Sequence, residues 1–256
     1  MCARCRFLCV GMSVFSAVLL CKSTNRGIAP SDFFPSYIST YVDRDVREEL
    51  GVRKIAEFNV FWNWRHFAWG RCLIRKASQM IAVSLWTRQK VGCRFSDQVS
   101  SLFVFDHISK ITEKRITKAS KLYFYDTGLA AHLLGIESTE QLILSNHRGN
   151  LFENLVVTEI IKRYEALEKR PRLYHWRDSN RKEIDLIIEK GGKPYYLIEI
   201  KSSATFRPEA FSTIDSIAPE MGVPCERRFV VYGGSDSFGN RHGRVIGFRN
   251  LGELVE

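Results

Sequence analysis

Hydrophobic positions in the second half of the chain switch between helical and strand spacing, and the switches lay out the elements. "KLYFYDTGLAAHLLGI" predicts a short strand, a turn at Asp126-Thr127-Gly128 and a helix ended by Gly135. In "NLFENLVVTEIIKRYEAL", Leu151, Leu155, Val156, Ile160 and Tyr164 share one helical face. Three strand-like runs follow: "PRLYHWR", "EIDLIIEK" and "YYLIEIK", with turn signals between them. A helix is expected over 207–218, then strands at "RRFVVYG" and "GRVIGF". From residue 150 the order is helix, three strands, helix, strands, an α/β layer with mixed sheet pairing. Further upstream, Ser31 or Asp32 caps a helix. Tyr37, Tyr41, Val42, Val46 and Leu50 recur along it at helical spacing, Gly51 closes it, and a second helix starts near Arg53.

Residues 59–105 break this regularity. "VFWNWRHFAWGRC" packs three of the five tryptophans into a stretch with no period, and neighbouring choices do not support one another. The start is also unusual. Arg4 and Arg6 precede the apolar run "FLCVGMSVFSAVLLC" in the manner of a signal peptide, but no small-x-small cleavage site follows. The run is short for a membrane span, so neither targeting nor stable membrane insertion is expected. Four of the seven cysteines, Cys2, Cys5, Cys9 and Cys21, lie in this segment; Cys72, Cys93 and Cys225 are scattered. An odd number without paired spacing points to a reducing, cytoplasmic setting. The Cys2-x-x-Cys5 spacing lacks the second pair of a metal finger.

Charge adds one asymmetry. The formal net charge is +10. Residues 60–121 hold 12 Lys/Arg against 3 Asp/Glu, whereas residues 122–256 hold 18 against 19. A nucleic-acid partner argued from charge therefore rests on the irregular middle of the chain.

Candidate chemistry lies in "RKEIDLIIEKGGKPYYLIEIKSS". Strand alternation puts Glu183 and Asp185 on one face and Glu199 and Lys201 on one face. If the two strands pair across Gly191-Gly192, Asp185 comes within reach of Glu199 and Lys201, and a helix carrying Glu153 can lie against the same end. Converging carboxylates suit Mg²⁺ or Mn²⁺, and a lysine beside them can orient water or offset charge on phosphate. An E-x-K on a solvated strand edge, paired across the hairpin, is the plainer reading of the same residues. Glu183 faces the same side as Asp185 and is either a further ligand or, the plainer reading, a cross-strand partner of a lysine or arginine.

Residues 115–254 closely resemble the C-terminal region of a large group of bacterial and archaeal AAA-type ATPases. That region is a domain of unknown function related to the PD-(D/E)XK nucleases. The matching strings are "SKLYFYDTGLAAHLLGI", "GNLFENLVVTEIIKR", "YHWRDSNRKEIDLIIE" and "YYLIEIKSSATFRPEAF"; "YISTYVDRDV" matches the segment between the ATPase and nuclease-like parts. The resemblance implies a PD-(D/E)XK nuclease-like core and gives Asp185, Glu199 and Glu153 the metal-binding places. It casts Glu199 and Lys201 as the E-x-K and Asp185 as the third catalytic residue. Trp176 and Arg177 fall in the motif, with Arg177 either at a phosphate or paired with Glu183.

The sequence departs from that family in two ways. No G-x-x-x-x-G-K-[ST] occurs, so no ATPase part and no ATP binding are expected. A winged-helix segment should fill about 60–105 and is unrecognisable there; out-of-frame translation of this stretch, and of 1–27, would explain it. The organisation expected is thus 1–30 unassigned, 31–110 a helical linker with a disrupted winged-helix-like region, and 111–256 a nuclease-like α/β domain. The function expected is Mg²⁺- or Mn²⁺-dependent phosphodiester hydrolysis or nucleic-acid binding, on DNA or RNA, by the nuclease-like part of an ATPase-family protein. The alternatives are a non-catalytic remnant or interaction module, and a DNA-binding protein using the basic middle segment. Oligomeric state is not legible.

Overall fold

A computed structural model of the chain describes residues 30–41, 102–107, 121–178, 180 and 182–255. The cysteine-rich start, the helix expected beyond residue 41 and the out-of-frame reading of 60–105 lie outside these residues, apart from 102–105.

The described part is an α/β layer built on an eight-stranded mixed sheet in the order β2-β1-β3-β4-β5-β6-β8-β7. Its strands are β1 (Leu102–His107), β2 (Lys121–Phe124), β3 (Arg172–Arg177), β4 (Glu183–Lys190), β5 (Lys193–Lys201), β6 (Arg228–Tyr232), β7 (Phe238–Asn240) and β8 (Gly243–Gly247). Its helices are α1 (Pro30–Tyr41), α2 (Thr127–Leu133), α3 (Thr139–Leu144), α4 (Arg148–Ala166) and α5 (Ser212–Met221). Pairing is parallel for β1/β3, β5/β6 and β6/β8 and antiparallel elsewhere.

Two apolar layers hold the sheet. On one face, Leu151, Phe152, Leu155, Val156 and Ile160 of α4 pack on Leu186, Ile188, Ile198, Ile200 and Val231. On the other, Ile214 and Ile217 of α5 pack on Ile187, Leu197, Val230 and Val245. Strand alternation produces this division, sending neighbouring residues of a buried strand to opposite layers. Helix α1 joins the first layer through Phe34, which is fully buried and stacks on His132 of α2.

The hairpin between β4 and β5 turns on two glycines alone, with Lys190 paired to Lys193. Both have positive φ, 63° at Gly191 and 79° at Gly192. A two-residue turn of this hand requires left-handed backbone at both positions, which glycine adopts without steric cost.

Three expectations are adjusted. Thr127 and Gly128 lie inside α2 rather than in a turn before it, because the Asp126 side chain caps the helix by accepting from the Leu129 N–H. The helix expected at 207–218 is a 3₁₀ turn at Pro208–Phe211 followed by α5, which runs on to Met221. The end of the irregular segment is a strand: β1 pairs with β2 and β3, so the sheet starts before residue 111.

Candidate active site

The site lies where β4 and β5 separate, at the end of the sheet away from the hairpin. Pairing runs up to Leu186 opposite Ile198. Beyond it, the Ile200 N–H donates to the Asp185 side chain instead, Oδ2 at 2.9 Å. On its other side, β4 departs from regular register against β3. Tyr174 pairs with Ile187 but Trp176 pairs with Ile184, so three steps along β4 match two along β3. This is a β-bulge, and bulges re-aim side chains near functional sites. It falls at Asp185-Leu186.

Four carboxylates and two lysines gather here in two groups. The first surrounds Lys121, at the start of β2. Its Nζ lies 2.8 Å from Glu153 Oε1 and 3.3 Å from Asp185 Oδ1, and it is also paired with Glu183 Oε1. The Lys121 side chain is only 3% exposed. The Tyr123 hydroxyl, two residues along the same strand, donates to Glu153 Oε1 at 2.5 Å. Glu183 also pairs with Arg177, at 3.5 Å. The second group is the E-x-K itself: Lys201 Nζ donates to Glu199 Oε1 at 2.6 Å. The other Glu199 oxygen, Oε2, is buried and has no hydrogen-bond partner. Lys201 is 47% exposed and borders a cleft of about 230 Å³ with Phe206, Arg207 and Tyr232.

Electrostatics tie the groups together. Burial pushes the Glu199 carboxyl up, the charge of Asp185 adds to that, and Lys201 offsets only part, leaving it at about 8. Burial by itself would lower the Lys121 ammonium; Glu153, Tyr123, Asp185 and Glu183 outweigh it and hold it well above the usual range. Glu153 is raised, burial exceeding the pull of Lys121. Lys201 is raised as well, since Glu199 and Asp185 outweigh its own burial.

The sequence-predicted residues therefore meet, but not as one ring. Glu153 and Asp185 converge on Lys121, while Glu199 and Lys201 form a neighbouring pair coupled to them through Asp185. Glu183 is the partner of a lysine and an arginine, and Arg177 is its ion-pair partner. Among the described residues, no three acidic, histidine or cysteine side chains stand ready-arranged around a metal position. Trp176 is fully buried in the layer facing α5. Sequence reasoning missed Lys121 and Tyr123. The available signal was the alternation in "KLYF", which puts both on one face of a strand that precedes Glu153's helix and packs against it.

A family model for a domain of unknown function (DUF4143) matches residues 148–251, and a second (DUF8612) matches residues 8–140. The second match runs across the irregular segment. Uncharacterized proteins of Mycobacterium bovis and Mycobacterium tuberculosis are each 29% identical over 206 residues, covering 79% of this chain and 44% of theirs. The chain thus spans less than half the length of these relatives. No solved structure matches it. Among the described residues, no helix is long and apolar enough to cross a membrane.

Proposed function

Since the chain belongs to the family of the domain of unknown function DUF8612 and carries DUF4143 over residues 148–251, we propose that its β4–β5 fork is a phosphodiester-cleaving centre of the PD-(D/E)XK kind, acting on nucleic acid. It would be the nuclease-like portion of a protein of the AAA-ATPase-associated type. One observation carries the reading above all. Asp185, Glu199 and Lys201 sit on adjoining strands where backbone pairing ends, and a buried oxygen of Glu199 has no partner there. A buried acceptor left unpaired is costly, and a ligand at the fork relieves that cost.

The donors fit a hard divalent cation. All are carboxylate oxygens, which suit Mg²⁺ or Mn²⁺. Asp185, Glu199 and Glu153 would hold the ion, as in the family resemblance. When bound, it would supply charge to polarise a phosphodiester and lower the pKa of water. Of the two lysines at the fork, Lys201 is the exposed one, at 47% against 3% for Lys121. Its ammonium can orient a water or a phosphate oxygen while Glu199 holds it in place. The cleft beside it, with Phe206 and Tyr232, would offer a nucleotide an apolar wall.

A thermal-melting titration with Mn²⁺, on the full chain and on Asp185→Ala, tests the reading. A ligand that binds only the folded state raises its stability by mass action. The expected result is a rise in Tm that Asp185→Ala loses, followed by cleavage in a panel of DNA and RNA substrates that needs Lys201. Cooperative melting that Mn²⁺ does not move would instead favour the non-catalytic reading, in which the closed set of ion pairs is scaffold. The basic segment offers less to a DNA-binding reading where it is described, because Lys121 is buried among carboxylates rather than presented to phosphate.

A further inference from the structure

Lys121 occupies a peculiar place. Its ammonium is enclosed by oxygens of Glu153, Glu183 and Asp185 and is shut off from solvent. Two of these carboxylates, Glu153 and Asp185, are the ones the metal reading assigns to a divalent ion. Asp185 is fully engaged: Oδ1 takes Lys121 and Oδ2 takes the Ile200 N–H. Glu153 Oε1 already accepts from both Lys121 and Tyr123. A metal ion that binds Asp185 through Oδ1 or Glu153 through Oε1 takes an oxygen that the ammonium now holds, and through either carboxylate it meets a like charge at close range.

We propose that Lys121 is a built-in cation that competes with the divalent ion for Glu153 and Asp185, and so sets the metal affinity of the site. This rests on the metal-centre reading above. Lys121 does not touch substrate in this role; it acts through the carboxylates, as a positioning residue. The strand that carries it has four residues and lies at the edge of the sheet.

Mn²⁺ binding to the full chain, read by calorimetry for the wild type, Lys121→Met and Lys121→Gln, tests the proposal. Methionine keeps an unbranched side chain one atom shorter and without the charge; glutamine keeps donors for the carboxylates. The expected result is binding tighter by about tenfold or more in both variants, with the gain abolished when Asp185→Ala is added. A merely structural lysine predicts the reverse, because its loss would loosen the ligands and weaken binding. If the wild type binds Mn²⁺ in an Asp185-dependent way and neither variant binds more tightly, the competition is overturned and the metal centre stands. If wild type and variants all fail to bind, the metal centre falls and the competition with it. A variant that folds only with Mn²⁺ present supports the proposal. Failure of both variants to fold even with Mn²⁺ overturns it, since the seat would then not accept the ion in exchange for the ammonium.

Discussion

A glutamate in water loses its proton near pH 4.5, but Glu199 keeps it to about 8. The cause is burial first and Asp185 second, with Lys201 too weak to reverse them. Between those two values the folded chain holds a proton that the unfolded chain has released. Stability must therefore fall as pH rises through this window, and the loss is complete once Glu199 is ionised in the folded state. One proton of difference corresponds to a slope of about 1.4 kcal/mol per pH unit at most. Glu199→Gln removes that titration. Urea unfolding from pH 5 to 7.5 should be flatter for Glu199→Gln than for the wild type, with a residual slope from Glu153, which is raised for the same reason. Equal slopes would mean that Glu199 is ionised across the whole range. The E-x-K was legible in the sequence because its spacing is fixed by the pleat. Lys121 was not, since a lysine in a basic stretch reads as surface. Its partners lie 32 residues away at Glu153 and 64 away at Asp185, beyond the range of any local pattern.

At the scale of elements, β2 is held from its inner side by two adjacent residues of α4. Asn154 is fully buried and accepts from the Phe124 N–H at 2.7 Å. Its amide donates to Phe124 O at 2.9 Å and to Thr127 Oγ1 at 2.8 Å. It thus replaces the next strand at the end of β2 and fixes the entry to α2. Glu153, one residue earlier on the same helix, takes Lys121 and Tyr123 from the same strand. Asn154→Ala would leave the amide and carbonyl of Phe124 buried without these bonds. Unmet groups of this kind cost about 1–3 kcal/mol each, so a loss of about 2–4 kcal/mol in urea unfolding is expected. A loss under about 0.5 kcal/mol, the level of an ordinary surface change, would show that β2 is anchored in some other way. Alternation along the strands was readable, and it placed Glu183 and Asp185 correctly on one side. The bulge at Asp185-Leu186 was not readable. It adds one residue to β4 relative to β3, and nothing in "EIDLII" distinguishes a bulged strand from a regular one.

At the scale of the whole molecule, two family matches share a single sheet. The stretch matching DUF8612 ends at residue 140 and the one matching DUF4143 begins at 148, yet β1 pairs with β3 in parallel across that division. The core crosses it too: Tyr123, Phe124 and Leu129 are buried in the same layer as Leu151, Leu155 and Val156 of α4. From 150 onward β3 to β6 and β8 were legible because each run is short, apolar and bounded by turn residues; β7, three exposed residues, was not. The strand in "KLYF" was legible as well, but β1 escaped because it lies in an irregular stretch and its parallel partner is some seventy residues downstream, set by topology rather than local sequence. A fragment cut at the family boundary, 148–256, would lose β1 and β2. It would leave β3 as an open edge, strip the cover from one side of α4 and leave Glu153 and Asp185 without Lys121. A fragment 102–256 keeps all of these. The shorter fragment should unfold over a broad, non-cooperative range or aggregate, and the longer one should give a single sharp transition in urea. Equal cooperativity in the two would mean that the DUF4143 stretch is a complete folding unit and that Lys121 is an addition to its site. Failure of the longer fragment alongside the shorter would put the missing support upstream of β1, in the helix that buries Phe34 against His132.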